Sequence, residues 1–167
     1  SLSQNIIYYI PNRLEEGYGL NSEAIKEIAS NKVNLIVTVD CGIGADKEVE
    51  LASSLGIDVI VTDHHRPADN IPKKAYAIIN PMLEEDTYSF KGLAGVGVAF
   101  KLVMALRFKL RERNYFKDEV PNIKSLLDIV TLGTVADVMP LTHENRIFVK
   151  HGLDILSSSN NRLGIRE

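Results

Sequence analysis

The sequence predicts an α/β fold: a doubly wound, mostly parallel sheet followed by a helical part. Three observations carry that reading. Two short β-branched runs lie at 35–39 and 57–61, an amphipathic segment separates them, and helical periodicity takes over from Leu93 onward. Strand, helix and strand in such close succession form the crossover unit of a parallel sheet.

Residues 6–10 are a short apolar run stopped by Pro11. "NSEAIKEIASNKV" then sets Ala24, Ile25, Ile28 and Ala29 at helical spacing behind the capping candidates Asn21 and Ser22. "LIVTV" is apolar except for Thr38, as expected of a parallel strand covered on both faces. In "ADKEVELASSLG", Val49, Ala52 and Leu55 mark one helix face and Gly56 stands where a C-cap glycine belongs. A third strand is expected around 77–79, ended by Asn80-Pro81. Helices follow at 93–113, 123–132 and 146–156, separated by Pro121, Pro140 and the polar cluster 157–161. The expected organisation is an α/β portion over 1–90 and a helical portion over 91–167 of one core.

Composition narrows the function classes. With 167 residues, 45% of them hydrophobic, the chain can bury one substantial core and is not a disordered segment. Nineteen Lys plus Arg against twenty-two Asp plus Glu leave a net charge of -3, which argues against general electrostatic capture of nucleic acid while allowing a local basic surface. One cysteine permits no internal disulfide, no run reaches membrane-span length, and no secretory signal opens the chain. A cytoplasmic protein without a membrane partner is expected. The Ser1 start and the charged end suggest an excised piece of a longer protein.

The acids stand where a parallel sheet binds ligands, at the C-terminal ends of strands. Asp40 follows "LIVTV", and Asp63, His64 and His65 follow "DVIVT". Neighbouring strands lie about 4.8 Å apart, so these groups fall within reach of a shared ligand. Asp137, in "LGTVADVMPL", is flanked by apolar residues and is expected to be partly buried, where a carboxylate needs a partner. Asp40, His64 and Asp137 would then hold Mn²⁺ or Mg²⁺. His65 would face substrate as a phosphate donor or acid, and Asp63 would orient an imidazole. Plainer readings stand beside these: Asp40 and Asp137 as helix or turn caps, and the histidines as solvent-facing loop residues.

Other features carry less. "GIG" at 42–44 lacks the third glycine of a dinucleotide fingerprint, since Lys47 occupies that position. Cys41 reads as a small buried thiol, and His143 and His151 as surface or capping residues. "KLVMALRFKLRER" sets Lys101, Arg107, Lys109, Arg111 and Arg113 against Glu112 alone, which suits a solvated helix face or a nucleic-acid backbone surface.

The segments "YYIPNRLEEGYGLN" (8–21), "VTVDCGI" (37–43), "VTDHH" (61–65), "LAGVGVAFKL" (93–102) and "LGTVADVMPL" (132–141), with "ENR" (144–146), closely resemble the RecJ-type single-strand-specific DNA exonucleases of the DHH phosphoesterase superfamily. The DHH triplet alone indicates the superfamily; "YIPNR" and "LAGVGVAFKL" favour the RecJ branch. The resemblance implies that Asp40 bridges two Mn²⁺ or Mg²⁺ ions, that His64 and Asp137 are ligands, and that His65 contacts substrate phosphate. It implies 5′-to-3′ hydrolysis of single-stranded DNA to 5′-mononucleotides in repair and recombination.

One departure matters. The family's first motif is an aspartate pair at the end of the first strand, and residues 1–39 contain no aspartate. The chain therefore reads as an internal fragment that lacks this motif, the first strand and the C-terminal nucleic-acid-binding domain. It is expected to hold no ion or one, and to have little or no exonuclease activity alone. The alternatives are a DHH phosphoesterase acting on short oligonucleotides or pyrophosphate, and a degenerate nucleic-acid-binding module.

Overall fold

A computed structural model describes residues 5–67, 69–158 and 162–166. The element order is α1 (Ser22–Ser30), β1 (Leu35–Val39), α2 (Asp46–Ser54), β2 (Asp58–Thr62), β3 (Ala77–Ile79), α3 (Gly95–Glu112), a 3₁₀ turn (Ile123–Leu126), α4 (Leu127–Ala136), α5 (His143–Leu156) and a short α6 (Leu163–Arg166). The sheet runs β1-β2-β3 and every pairing is parallel, with Val39 opposite Thr62 and Thr62 opposite Ile79. That register brings the C-terminal ends of β1 and β2 level, so Asp40 and Asp63 leave the sheet at the same edge.

Local chemistry accounts for the boundaries. The Asn21 side chain accepts the Ala24 N–H at 2.8 Å, capping α1 at its expected residue. Gly56, at φ +75°, follows the C-cap of α2 in the left-handed conformation that glycine adopts without strain. The third separator in the helical part, 157–161, includes Ser159, Asn160 and Asn161, which lie outside the described residues.

Two apolar cores result among the described residues. Ile36, Val59 and Val61 project from one sheet face onto Ile25 of α1 and Val49 and Ala52 of α2. Each buried Ile or Val side chain here contributes on the order of 1.5–3 kcal/mol. The second core gathers Leu93, Val98, Phe100, Leu127, Val130 and Phe148, and Ile79, Tyr88 and Phe90 pack against it. Within it α4 and α5 cross closely, because a Cβ at Gly152 would lie 1.8 Å from Thr131 Oγ1.

The strand β1 differs from expectation. Leu35, Val37 and Val39 are 48%, 44% and 53% exposed, so only the Ile36 and Thr38 side of the strand is covered. The apolar run at 6–10 forms no strand, and Ile6, Tyr8 and Ile10 are exposed. β1 is an edge strand, paired only with β2 among the described residues.

Candidate metal centre

Asp40 and Asp63 are carried past the strand ends by continued ladder bonds, Asp40 N–H to the Thr62 carbonyl and Asp63 N–H to the Ile79 carbonyl, both 3.0 Å. Buried threonines brace this edge. Thr38 Oγ1 donates to the Cys41 carbonyl at 2.7 Å, and Thr62 Oγ1 to the Thr38 carbonyl at 2.6 Å. Asp40 itself sits at φ +64°, a left-handed conformation that aspartate tolerates better than most residues.

Three of the expected residues converge. His64 Nε2 lies 3.0 Å from Asp40 Oδ1 and 3.3 Å from Asp137 Oδ2, and its side chain is only 7% exposed. Neither approach has hydrogen-bond geometry: Nε2 and Asp40 Oδ1 are buried polar atoms without a hydrogen-bond partner among the described residues. Burial pushes the Asp40 carboxyl up; His64 opposes that, and the Asp137 carboxylate adds to it, leaving a net upward displacement. Two orphaned atoms beside a second carboxylate are a donor set that a divalent cation would satisfy with mixed oxygen and nitrogen ligands. Asp40, His64 and His65 each present a ligand atom within 4.8 Å of the others.

Asp137 differs from expectation in one respect. Its apolar neighbours do not bury it, and its side chain is 37% exposed. The helix α4 runs on to Ala136, making Asp137 its C-cap, and Val138 then turns outward at φ +54° with 87% exposure. The carboxylate thus reaches His64 from a helix end rather than from within a core.

Asp63 has a different office from the other acids. It is 1% exposed, and its oxygens are fully engaged. Oδ2 accepts the Ile43 N–H at 2.9 Å; Oδ1 accepts the His64 N–H at 2.7 Å, the His65 N–H at 3.1 Å and His65 Nδ1 at 2.6 Å. Burial pushes the carboxyl up, but these donors outweigh it and hold the pKa below the ordinary carboxylate value. An ionised Asp63 fixes the proton of His65 on Nδ1, so Nε2 is the nitrogen turned to solvent. The His65 side chain is 47% exposed, at the mouth of an open cleft of about 320 Å³ that Tyr18, Gly42, Ile43 and Gly44 also line.

Sequence reasoning passed over several residues that shape this site. The fully buried Asn80 donates to the His65 carbonyl at 2.9 Å and accepts the Met82 N–H at 2.8 Å, tying the histidine loop to the end of β3. The hydroxyl of Tyr18 donates to the Asp40 carbonyl, its ring meets His65 edge-on at 6.1 Å, and the Arg13 guanidinium lies 5.1 Å above it. Burial, followed by the nearby carboxylates and Cys41, raises the Tyr18 hydroxyl to about 12. The signal was present in the glycines of "EGYGL": Gly17 and Gly19, at φ +81° and +84°, form the turn that presents Tyr18.

The weaker candidates supply no atom to the group formed by Asp40, His64 and His65 among the described residues. Cys41 is partly buried and its thiol is pushed up, first by burial and then by Asp63 and Asp40, which leaves it protonated near neutral pH. His143 and His151 are exposed on α5. In the basic segment, Lys101 reaches Glu144 at 2.8 Å, Lys109 reaches Glu112 at 2.9 Å, and Arg107 Nε donates to the Pro121 carbonyl at 2.7 Å.

Comparison with known proteins adds a second line. The family model described as "DHH family, N-terminal domain" matches residues 2–134. The chain is 50% identical over 165 residues to the single-stranded-DNA-specific exonuclease RecJ of Escherichia coli (strain K12), covering 97% of this chain and 28% of that protein. It is 45% identical over 166 residues to the exonuclease of the same name from Bacillus subtilis (strain 168), covering 99% of this chain and 19% of that one. The chain therefore spans less than a third of the length of these curated relatives. Among solved structures, an exonuclease RecJ bound to manganese superposes with a TM-score of 0.73 at 38% identity, covering 87% of this chain and 34% of the other. RecJ from Thermus thermophilus in complex with Mn²⁺ gives 0.70 at 33% identity, covering 87% and 20%.

Proposed function

The chain belongs to the DHH family, and from that premise we propose that it forms part of the catalytic core of a single-strand-specific DNA exonuclease that depends on Mn²⁺ or Mg²⁺. The observation that carries the proposal is the convergence of Asp40, His64 and Asp137 with two polar atoms left unbonded between them. These three residues would hold the ion. When bound, a divalent cation lowers the pKa of a water molecule and neutralises charge on the phosphoryl oxygens.

The chain's own residues bind and orient. Asp63 locks His65 through Nδ1 and two backbone N–H groups, so Nε2 keeps one direction toward the cleft. From that direction His65 would donate to a non-bridging phosphate oxygen, a bond that strengthens as negative charge builds in the transition state. Asn80 holds the same loop from below through the His65 carbonyl. Tyr18 fixes the backbone of Asp40 and walls the cleft beside His65.

In this reading residues 1–90 and 91–167 are two parts of one catalytic core, and the enzyme acts in the cytoplasm in DNA repair and recombination. It proceeds 5′ to 3′ and releases 5′-mononucleotides. The full enzyme uses two ions, while this chain by itself holds one weakly and has little activity. Among the described residues no helix is long and apolar enough to cross a membrane.

The test uses the full-length protein that carries this sequence and 5′-labelled single-stranded DNA over a Mn²⁺ series, with duplex DNA, a dinucleotide and pyrophosphate as competing substrates. Release of 5′-mononucleotides from the single strand, abolished by His65→Ala, is the expected result. Preference for the dinucleotide or for pyrophosphate would place the protein among small-substrate phosphoesterases. DNA binding without hydrolysis at any metal concentration would make it a binding module.

A further inference from the structure

The first residue of α3 lies against Asp40. A Cβ at Gly95 would stand 2.1 Å from Asp40 Oδ1, 2.5 Å from Cγ and 2.6 Å from Cβ, well inside any tolerable contact. Asp40 cannot yield easily, because its N–H is bonded to the Thr62 carbonyl and its own carbonyl accepts the Tyr18 hydroxyl. Nor can the helix yield, since α4 packs on its first turn: a Cβ at Gly133 would lie 2.8 Å from Val96 Cγ1. Gly95 is helical rather than left-handed, so its backbone conformation does not call for glycine, and helix propensity favours alanine there. What excludes a side chain at 95 is the aspartate.

We infer that Gly95 is a positioning residue of the metal centre: its missing side chain is what allows Asp40 to hold its carboxylate against His64. The inference rests on the metal-centre reading given above and names the structural condition for it. Gly97, two residues along the same helix, serves as the control. A Cβ there meets only the Leu93 side chain, at 3.2 Å, and is far from the acids.

The experiment measures Mn²⁺ affinity by titration calorimetry, and Tm without metal, on the 167-residue chain and its variants. Gly95→Ala is expected to weaken Mn²⁺ binding by at least the roughly 10–100-fold seen when a ligand loses its orienting partner. Gly97→Ala should leave the affinity unchanged. Gly95→Ala should also lower Tm in the parent, yet leave it level or raise it in the Asp40→Gly background, where the obstructing side chain is gone. An unaltered Mn²⁺ affinity in Gly95→Ala, or an equal change of Tm in both backgrounds, overturns the inference. If Gly95→Ala alone does not fold, folding restored by Asp40→Gly supports it, and misfolding in both overturns it. A parent chain that takes up no Mn²⁺ would sink the metal-centre reading, and the Tm comparison would still decide whether Gly95 makes room for Asp40.

Discussion

Asp63→Asn is the substitution on which the architecture of the histidine loop can be judged most sharply. The carboxylate accepts four donors in a site that is 1% exposed. An asparagine keeps one oxygen, which goes where three donors converge, toward His64 and His65. Its amide nitrogen then faces the Ile43 N–H, donor against donor, and the three remaining bonds lose their charge. Losing one charge-assisted bond and burying an unmatched donor costs about 3 kcal/mol, or a fall in Tm of roughly 6–12 °C for a chain of this size. His65→Ala provides the comparison, because it removes only the half-exposed ring and leaves Asp63 its three backbone donors; about 1 kcal/mol is expected. Thermal unfolding followed by circular dichroism at neutral pH reads both. If Asp63→Asn melts within about 2 °C of the parent, or costs no more than His65→Ala, the backbone clamp is not what holds this loop.

Three further outcomes can be measured. Asp137→Ala should weaken Mn²⁺ binding at least tenfold, about the lower bound for lost ligand support, with little change in Tm, because the side chain is 37% exposed; calorimetric indifference to the substitution would remove Asp137 from the ligand set. The Glu144 carboxyl, pushed up by burial, is brought below its ordinary value by Lys101 and Tyr88, while Lys101, pushed down by burial, is brought above its own by Glu144 and Tyr88. The pair therefore stabilises the fold across neutral pH, and the contribution is lost as pH falls through the lowered Glu144 pKa or rises through the raised Lys101 pKa. Glu144→Gln should accordingly lower Tm near neutrality and converge with the parent in acid; a constant offset at every pH would refute the linkage. Val138→Gly should raise Tm by about 2–4 °C, since relieving a left-handed valine recovers about 1 kcal/mol and its 87% exposed side chain gives up little burial; a lower Tm would show that the valine has a packing role.

How much of this was legible depended on the range of the interaction that decides each feature. β1 and β3 begin and end where their residues predict, and Asn21 and Gly56 cap their helices as expected, because caps and β-branched runs act within a few positions. Asp40, Asp63 and His64 were placed correctly at one sheet edge for a similar reason: a strand's end and direction follow from its own residues and the crossover rule. The exposure of Leu35, Val37 and Val39 could not be read that way, since an uncovered face and a covered one are written with the same residues. Asp137 misled because its apolar flanks signify burial only if both face a core, and the turn at Val138 takes one of them outward. Asn80 and Gly95 were invisible as site residues because their partners, His65 and Asp40, are brought to them only by the fold.

Two departures from local rules adjoin the candidate metal centre. Lys32, Asn114 and Val138 each directly follow the C-cap of a helix, where the left-handed turn is ordinary, and His143 at φ +44° opens α5. Asp40 has no such excuse, and Val138 is a β-branched residue in a conformation that suits glycine. Asp40 carries one proposed ligand and Val138 adjoins another; between them lie two buried polar atoms without hydrogen bonds and an aspartate whose protonation is favoured by burial and a neighbouring carboxylate. Strained backbone costs about 1–3 kcal/mol at each such residue, and uncompensated polar burial costs a comparable amount. An apolar or well-bonded edge would have been cheaper to fold, so the arrangement makes physical sense if a cation offsets these costs when it binds. Metal uptake should then be coupled to the stability of this edge of the sheet, with Asp40, His64 and Asp137 gaining order together rather than one by one.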